Sequence, residues 1–196
     1  MSTTHLEKQV TIVILAGGRG RRMNEQDKGW VELAGMPLIQ HVIDLVSQQS
    51  GNIMINANQN IDRYQALGYP VVSDQLSGFQ GPLAGVAAAM EQVTTPYILT
   101  LPCDAPYVDG EYLQKMLTGL ISSQTDLAVA FDGVRIQPIH AIIPVRLLGD
   151  LKQFLGKNSR KVDTWYSQYA MGIIDFSKQK KMFENLNTLQ ELEDYR

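Results

Sequence analysis

Residues 17–28 contain three glycines, three arginines and a lysine, in the order Gly17-Gly18-Arg19-Gly20-Arg21-Arg22-Met23-Asn24-Glu25-Gln26-Asp27-Lys28. Glycine has no Cβ and takes positive φ readily, so Gly17, Gly18 and Gly20 allow successive N–H groups to converge on an anion. Arginine offers a planar fork matched to phosphate oxygens, and lysine a mobile point charge. Together these residues have the chemistry of a polyphosphate cradle, whose natural guest is a triphosphate. The plainer alternative is a solvated basic turn. The chain has no Gly-Lys-Ser/Thr tripeptide, which excludes a Walker A loop. Gly18-Arg19-Gly20 begins the dinucleotide fingerprint, but Met23 stands where its third glycine belongs.

A second candidate lies in Leu101-Pro102-Cys103-Asp104-Ala105-Pro106, where an apolar run ends in a carboxylate between prolines that stiffen the chain. A carboxylate facing a triphosphate repels it unless a divalent cation lies between them, and Mg²⁺ favours one or two carboxylates with phosphate oxygens and water. Cys103 reads as a packed neighbour, since no partner is evident that would lower its pKa. Asn56 and Asp74 also end apolar runs; both residue types are equally at home as plain turn residues.

The elements that must position these groups follow from periodicity. Val10 to Ile14 is an apolar strand that empties into the glycine loop. Residues 37–49 have apolar side chains at helical spacing, and 52–56 form the next strand. A short helix near 62–67 leads to a strand at 70–74, an Ala-rich helix at 82–93, a strand at 97–101 and a helix with Tyr112, Leu113, Met116, Leu117 and Leu120 on one face. Alternation of this kind implies right-handed crossovers and a mostly parallel sheet covered on both faces. Two apolar runs, 127–131 and 136–144, flank the turn pair Asp132-Gly133; Pro138 argues against a central place in the sheet for the second. Helices near 146–156 and 161–170, a strand at 172–176 and a helix from Thr188 complete the pattern. The expected fold is a single α/β domain, Rossmann-like and three-layered, with residues 1–125 binding nucleotide and 126–196 binding an acceptor. Ligands on such sheets bind outside the carboxyl ends of the strands, where the glycine loop, Asn56, Asp74 and Asp104 all fall.

Composition sets the outer limits. The 196 residues are 44% hydrophobic, enough for one core, and net charge is −3, so the basic loop is a local feature of a mildly acidic chain. Bulk attraction to nucleic acid or to an anionic membrane is not expected. The single cysteine precludes an intramolecular disulfide and fits a reducing compartment. The N-terminal residues are polar, and the apolar run after them is far shorter than the roughly 20 residues that span a bilayer, so a cytoplasmic address is expected.

Leu15-Ala16-Gly17-Gly18, Arg22-Met23 and Lys28 resemble the L-A-G-G-x-x-x-R-M-x-x-x-x-K signature of Rossmann-like nucleotidyltransferases. Asp27-Lys28-Gly29, with its spacing from Met23, is most similar to the molybdenum cofactor guanylyltransferase family; members often carry a glycine after the methionine, where this chain has Asn24 and Glu25. Pro102-Cys103-Asp104 resembles that family's metal-binding segment. Gly81-Pro82-Leu83-Ala84-Gly85 resembles its G-P-L-x-G segment, which lies against the purine; a plain helix-capping glycine loop is the alternative. Asn185-Leu186-Asn187-Thr188 resembles its N-x-N-T segment, although either asparagine would also suit a helix N-cap. Gln137-Pro138-Ile139-His140 and Arg160-Lys161 stand where the family has a Pro-containing strand and a basic substrate loop; His140 reads first as a packed strand residue.

The resemblance implies transfer of GMP from GTP to the phosphate of molybdenum-molybdopterin, with Mg²⁺ as cofactor and pyrophosphate as the second product. It assigns catalysis to Arg22, Lys28 and Asp104, metal binding to Asp104, and acceptor binding to Asn185 and Asn187. Nucleotide contacts fall to Leu15, Ala16, Gly17, Gly18, Lys28, Asn56, Asp74, Gly81, Pro82, Leu83 and Asp104. The choice of guanine comes from the resemblance alone. It further implies a monomer that meets proteins of molybdenum cofactor synthesis and delivery. Three alternatives stand beside this reading: a nucleotidyltransferase acting on a sugar phosphate, a non-catalytic GTP-binding regulator, and, disfavoured by Met23, a nicotinamide-dependent oxidoreductase.

Overall fold

The computed structural model describes residues 8–18, 27–75 and 81–184. Its frame is a seven-stranded sheet made of β1 (Val10–Leu15), β4 (Ile53–Asn56), β5 (Val71–Val72), β6 (Tyr97–Pro102), β7 (Leu127–Phe131), β8 (Ile136–Pro144) and β9 (Met171–Asp175), in the order β5-β4-β1-β6-β8-β7-β9. All neighbouring pairs are parallel except those made by β8, which runs antiparallel to both β6 and β7. The helices are α1 (Leu38–Val46), α2 (Ile61–Gln65), α3 (Pro82–Gln92), α4 (Tyr112–Ser123), α5 (Leu148–Gly156) and α6 (Val162–Tyr166).

Strand alternation sends Ile12, Ile14, Ile55, Leu99 and Leu101 to one face, against α1, α2 and α4, while Val13, Met54, Ile98, Val129 and Ile143 meet α3, α5 and α6 on the other. The sheet is therefore covered on both sides, as parallel sheets require. Helix α3 is buried on nearly every side from Leu83 to Met90, which its alanines permit by letting neighbours approach closely.

Two features depart from the sequence-based expectation. A small antiparallel hairpin, β2 (Glu32–Leu33) and β3 (Met36–Pro37), precedes α1 and turns at Ala34-Gly35, both at positive φ. Its strands are too short to carry a period. The second is a correction: β8 lies inside the sheet although it contains Pro138. A register shift between Val129 and Ala130 explains how. Ala141 pairs with Val129 and Gln137 with Ala130, so residues 138–140 bulge out of the ladder and Pro138 has no ladder bond to lose. Pairing with β6 begins only at Ala141. The bulged carbonyls find side-chain donors, with the Tyr166 hydroxyl donating to Pro138 O at 2.9 Å and the Thr100 hydroxyl to Ile139 O at 2.6 Å. The helix expected from Thr188 lies outside the described residues.

Candidate active site

Strand order reverses between β1 and β6. From β1 the chain winds outward through β4 to β5, then returns by α3 to place β6 on the other side of β1. The carboxyl ends of β1 and β6 lie side by side there, and such a switch point is where open α/β sheets take ligands. Register puts the candidates at one level, because Leu15 lies opposite both Asn56 and Pro102.

Across this crevice Lys28 Nζ donates to Asp104 Oδ2 at 2.8 Å. Asp104 is carried by the rigid exit from β6, where Cys103 N donates to Leu15 O at 3.1 Å. Lys28 opens a single 3-10 turn, Lys28–Trp30, capped by the Asp27 carboxylate. Residues 76 positions apart in sequence thus form one cation–carboxylate centre. Its partners are unequally shielded: the Lys28 side chain keeps 25% of its exposure and that of Asp104 only 7%.

On the β4–β5 side the carboxylate of Asp74 accepts from Asn56 Nδ2 and from Asn58 Nδ2, each at 2.9 Å. Asn58 also donates to Gly17 O at 3.2 Å and accepts from Asp74 N, so it ties the start of the glycine loop to the end of β5. Two glycines make room for the buried Asn56 amide. A Cβ on Gly17 would come within 2.9 Å of Asn56 Oδ1, and one on Gly85 within 2.2 Å of the same atom. The sequence marks Asn56, Asp74 and Gly17 as candidates but not Asn58. The available signal was the polar alternation Asn56, Asn58, Asn60 past the end of an apolar strand.

Gly81, at φ +83°, turns the chain into α3 and Pro82 occupies its first turn. Leu83 is fully packed among Val86, Met90 and their neighbours, so only its backbone remains for a ligand. Leu15 O and Ala16 N are committed to backbone partners, Cys103 N and Asn56 O. Among the described residues, nothing lies within 4 Å of where a Cβ on Gly18 would stand. Arg22, Asn185 and Asn187 lie outside the described residues.

The Lys181 ammonium sits 4.2 Å over the Tyr107 ring, joining the Asp104 loop to the 3-10 segment Ser177–Phe183. The same ring packs against Val31, Leu33 and Leu38 behind Lys28. The bulge in β8 turns His140 inward against Tyr112 and Phe183, and burial holds its pKa down to about 3, so the ring is neutral. Its Nδ1 has no hydrogen-bond partner among the described residues. Burial, reinforced by the Asp104 charge, pushes the Cys103 thiol up and keeps it protonated, which removes it as a nucleophile.

Whether these residues suit a divalent cation is a question of donor set. No group of three or more His, Cys, Asp or Glu side chains gathers among the described residues. The neighbouring Asp27 carboxylate is already engaged by Tyr64, Asn60 and Gly29. Asp104 could therefore offer one hard oxygen donor at the crevice, a set that would fit Mg²⁺ if substrate phosphates and water completed the shell and that fits no all-protein cage.

The "MobA-like NTP transferase domain" family matches residues 12–171. A molybdenum cofactor guanylyltransferase from Shewanella loihica is 44% identical over 186 residues, covering 95% of each chain, and one from Shewanella woodyi is 45% identical over 93% of each. Among solved structures, molybdopterin-guanine dinucleotide biosynthesis protein A from Archaeoglobus fulgidus superposes with a TM-score of 0.78 at 20% identity, covering 94% of this chain and 96% of its own. A 4-diphosphocytidyl-2C-methyl-D-erythritol synthase from Anaerococcus prevotii reaches 0.75 at 9% identity over 100% and 97%, which speaks to the fold alone. With its family match extending from β1 to β9 and its near-full-length relatives, the chain belongs to the MobA-like NTP transferase family and is a nucleotidyltransferase.

Proposed function

We propose that the chain transfers GMP from GTP to the phosphate of a molybdopterin-type acceptor, as its curated relatives' name, molybdenum cofactor guanylyltransferase, describes for them. The observation that carries this reading is the Lys28–Asp104 pair at the strand-order switch, with the glycine loop on one flank. An acceptor phosphate oxygen attacks the α-phosphorus, a new phosphorus–oxygen bond forms, and the bond to the bridging oxygen breaks to release pyrophosphate. The acceptor is already an anion, so no general base is needed. Positioning and neutralisation of charge carry the rate.

Asp104 is the residue to hold Mg²⁺, which when bound supplies charge neutralisation between the carboxylate and the phosphates. Lys28, released from Asp104 as nucleotide enters, moves its cation to the β- and γ-phosphates, joined by Arg22. Amides of Gly17 and Gly18 line the approach of the triphosphate. Asp74, fixed by Asn56 and Asn58, presents an oriented acceptor to the nucleoside, and the backbone of Gly81 to Leu83 borders the base. Asn185 and Asn187 take the pterin side. The working form is a cytoplasmic monomer; no helix among the described residues is long and apolar enough to cross a membrane.

The test is thermal unfolding with GTP, ATP, CTP or UTP, each with and without Mg²⁺, followed by pyrophosphate release in the presence of molybdopterin. A ligand at about 100 times its dissociation constant stabilises by about 2.7 kcal/mol. A shift selective for GTP and dependent on Mg²⁺ is expected. Preference for another base overturns the substrate assignment.

A further inference from the structure

Lys28 reaches Asp104 from a turn only three residues long, and such a turn cannot hold a lysine by itself. What fixes it comes from α2. The Tyr64 hydroxyl donates to Asp27 Oδ1 at 2.6 Å, Asn60 Nδ2 donates to Asp27 Oδ2 at 3.0 Å, and Gly29 N donates to Asp27 Oδ1 at 3.3 Å. Tyr64 has no exposed surface, and its ring stacks at 5.1 Å, tilted, on Trp30, which ends the same turn. Burial, with Asp27 beside it, raises the phenol's pKa, so Tyr64 remains a donor throughout the working pH range.

Gly29 fits the same arrangement. A Cβ there would stand 2.4 Å from the Tyr64 oxygen and 3.3 Å from Cζ, inside the core rather than at a flexible surface chain. Both neighbours of Lys28 are therefore explained by one buried hydroxyl: Asp27 is bonded to it and Gly29 makes space for it. With Asp27 bonded on one side and Gly29 seated against Tyr64 on the other, the backbone that carries Lys28 is held where its ammonium reaches Asp104.

We propose that Tyr64 is the positioning residue that sets Lys28 for GMP transfer, acting through Asp27, with Asn60 as its second anchor. The inference rests on the functional reading above for the role of Lys28, and on the hydrogen-bond geometry alone for how Lys28 is held. Tyr64 has no exposed surface to offer a substrate, so its effect passes through the Asp27-Lys28-Gly29 turn.

The full-length enzyme tests this with Tyr64→Phe, Lys28→Met and the double variant, followed by pyrophosphate release and by the rate at which an acylating reagent labels the Lys28 amine, read by mass spectrometry. Tyr64→Phe keeps the ring and its packing and removes only the hydroxyl. It should lower kcat about tenfold, the scale of one hydrogen bond to a charged group, and raise Lys28 labelling several-fold. Lys28→Met should cost at least about 100-fold. The double variant should be no slower than Lys28→Met, because residues acting in one chain are not additive. Independent, multiplying losses, or unchanged labelling in Tyr64→Phe, would overturn the inference and leave Tyr64 a core residue. Absence of turnover by the unaltered enzyme would instead sink the functional reading, while the labelling rate would still decide whether Tyr64 sets Lys28.

Discussion

Asp104 is the more buried half of its ion pair with Lys28, and that asymmetry separates two experiments. Removing the lysine charge leaves a shielded carboxylate short of a partner, whereas removing the carboxylate charge leaves an ammonium that water can still reach. In the absence of nucleotide, Lys28→Met should therefore lower the denaturation midpoint by the equivalent of about 1–3 kcal/mol, and Asp104→Asn by less. Activity should order them differently, with Asp104→Ala abolishing transfer while near-UV circular dichroism stays native; a fully active Asp104→Ala enzyme would remove that residue from the mechanism. His140 offers a pH experiment. Its pKa is depressed from 6.5 to about 3 by burial against Tyr112 and Phe183. The unfolded chain takes up this proton below about pH 6.5 and the folded chain does not, so stability is full above that value and falls progressively toward pH 3. His140→Phe should flatten the acid limb of a midpoint-versus-pH curve between pH 6 and 4, and identical limbs would contradict the burial of a neutral ring.

Among the elements, α3 does two jobs through different faces. Its alanine surface packs against the sheet, while Gly85 yields space to the Asn56 amide. An isolated helix would gain about 1 kcal/mol from Gly→Ala, yet here the new methyl would enter Asn56, with Oδ1 at 2.2 Å and Cγ at 2.6 Å. Gly85→Ala should displace the amide from Asp74 and weaken GTP binding at least about tenfold, the value of one good polar contact to a charged group. Titration calorimetry checks this; an unchanged dissociation constant would take the Asn56 side chain out of the nucleotide site. Strand β8 shows a similar division. Ala141 to Pro144 serve the ladder with β6, while the bulge at 138–140 turns His140 against Tyr112 and Phe183.

In the whole molecule, the halves before and after residue 125 share one hydrogen-bonded sheet through the β6–β8 ladder. Neither half owns a complete core, since the cluster on each face draws residues from both. We therefore expect a single cooperative transition. The two tryptophans make this measurable, because Trp30 lies beside Lys28 in the first half and Trp165 is buried against α5 and the sheet in the second. Urea transitions of Trp30→Phe and Trp165→Phe, each reporting the remaining indole, should have equal slopes and should both match circular dichroism. Divergence between the fluorescence and dichroism curves of either variant would mark two folding units.

The glycine loop, Asn56, Asp74 and Asp104 are legible in the sequence because each ends an apolar run, and apolar runs of that length make strands in almost any context; Lys28 is legible from its charge and from the signature it completes. Residues 127–131 and 136–144 became strands at the expected bounds for the same reason. What the linear order could not express was proximity. Asn58, Asn60 and Tyr64 are ordinary polar and aromatic residues until β4 and α2 bring them against Gly17 and Asp27. The central place of β8 was equally hidden, because a proline's cost depends on whether its position lies in the ladder, and only the register against β7 shows that it does not. Sequence alone determined the elements and the charges at their ends, through local burial and backbone preference. Tertiary structure alone decided which charges meet, because hydrogen-bond partners are chosen by strand order and register.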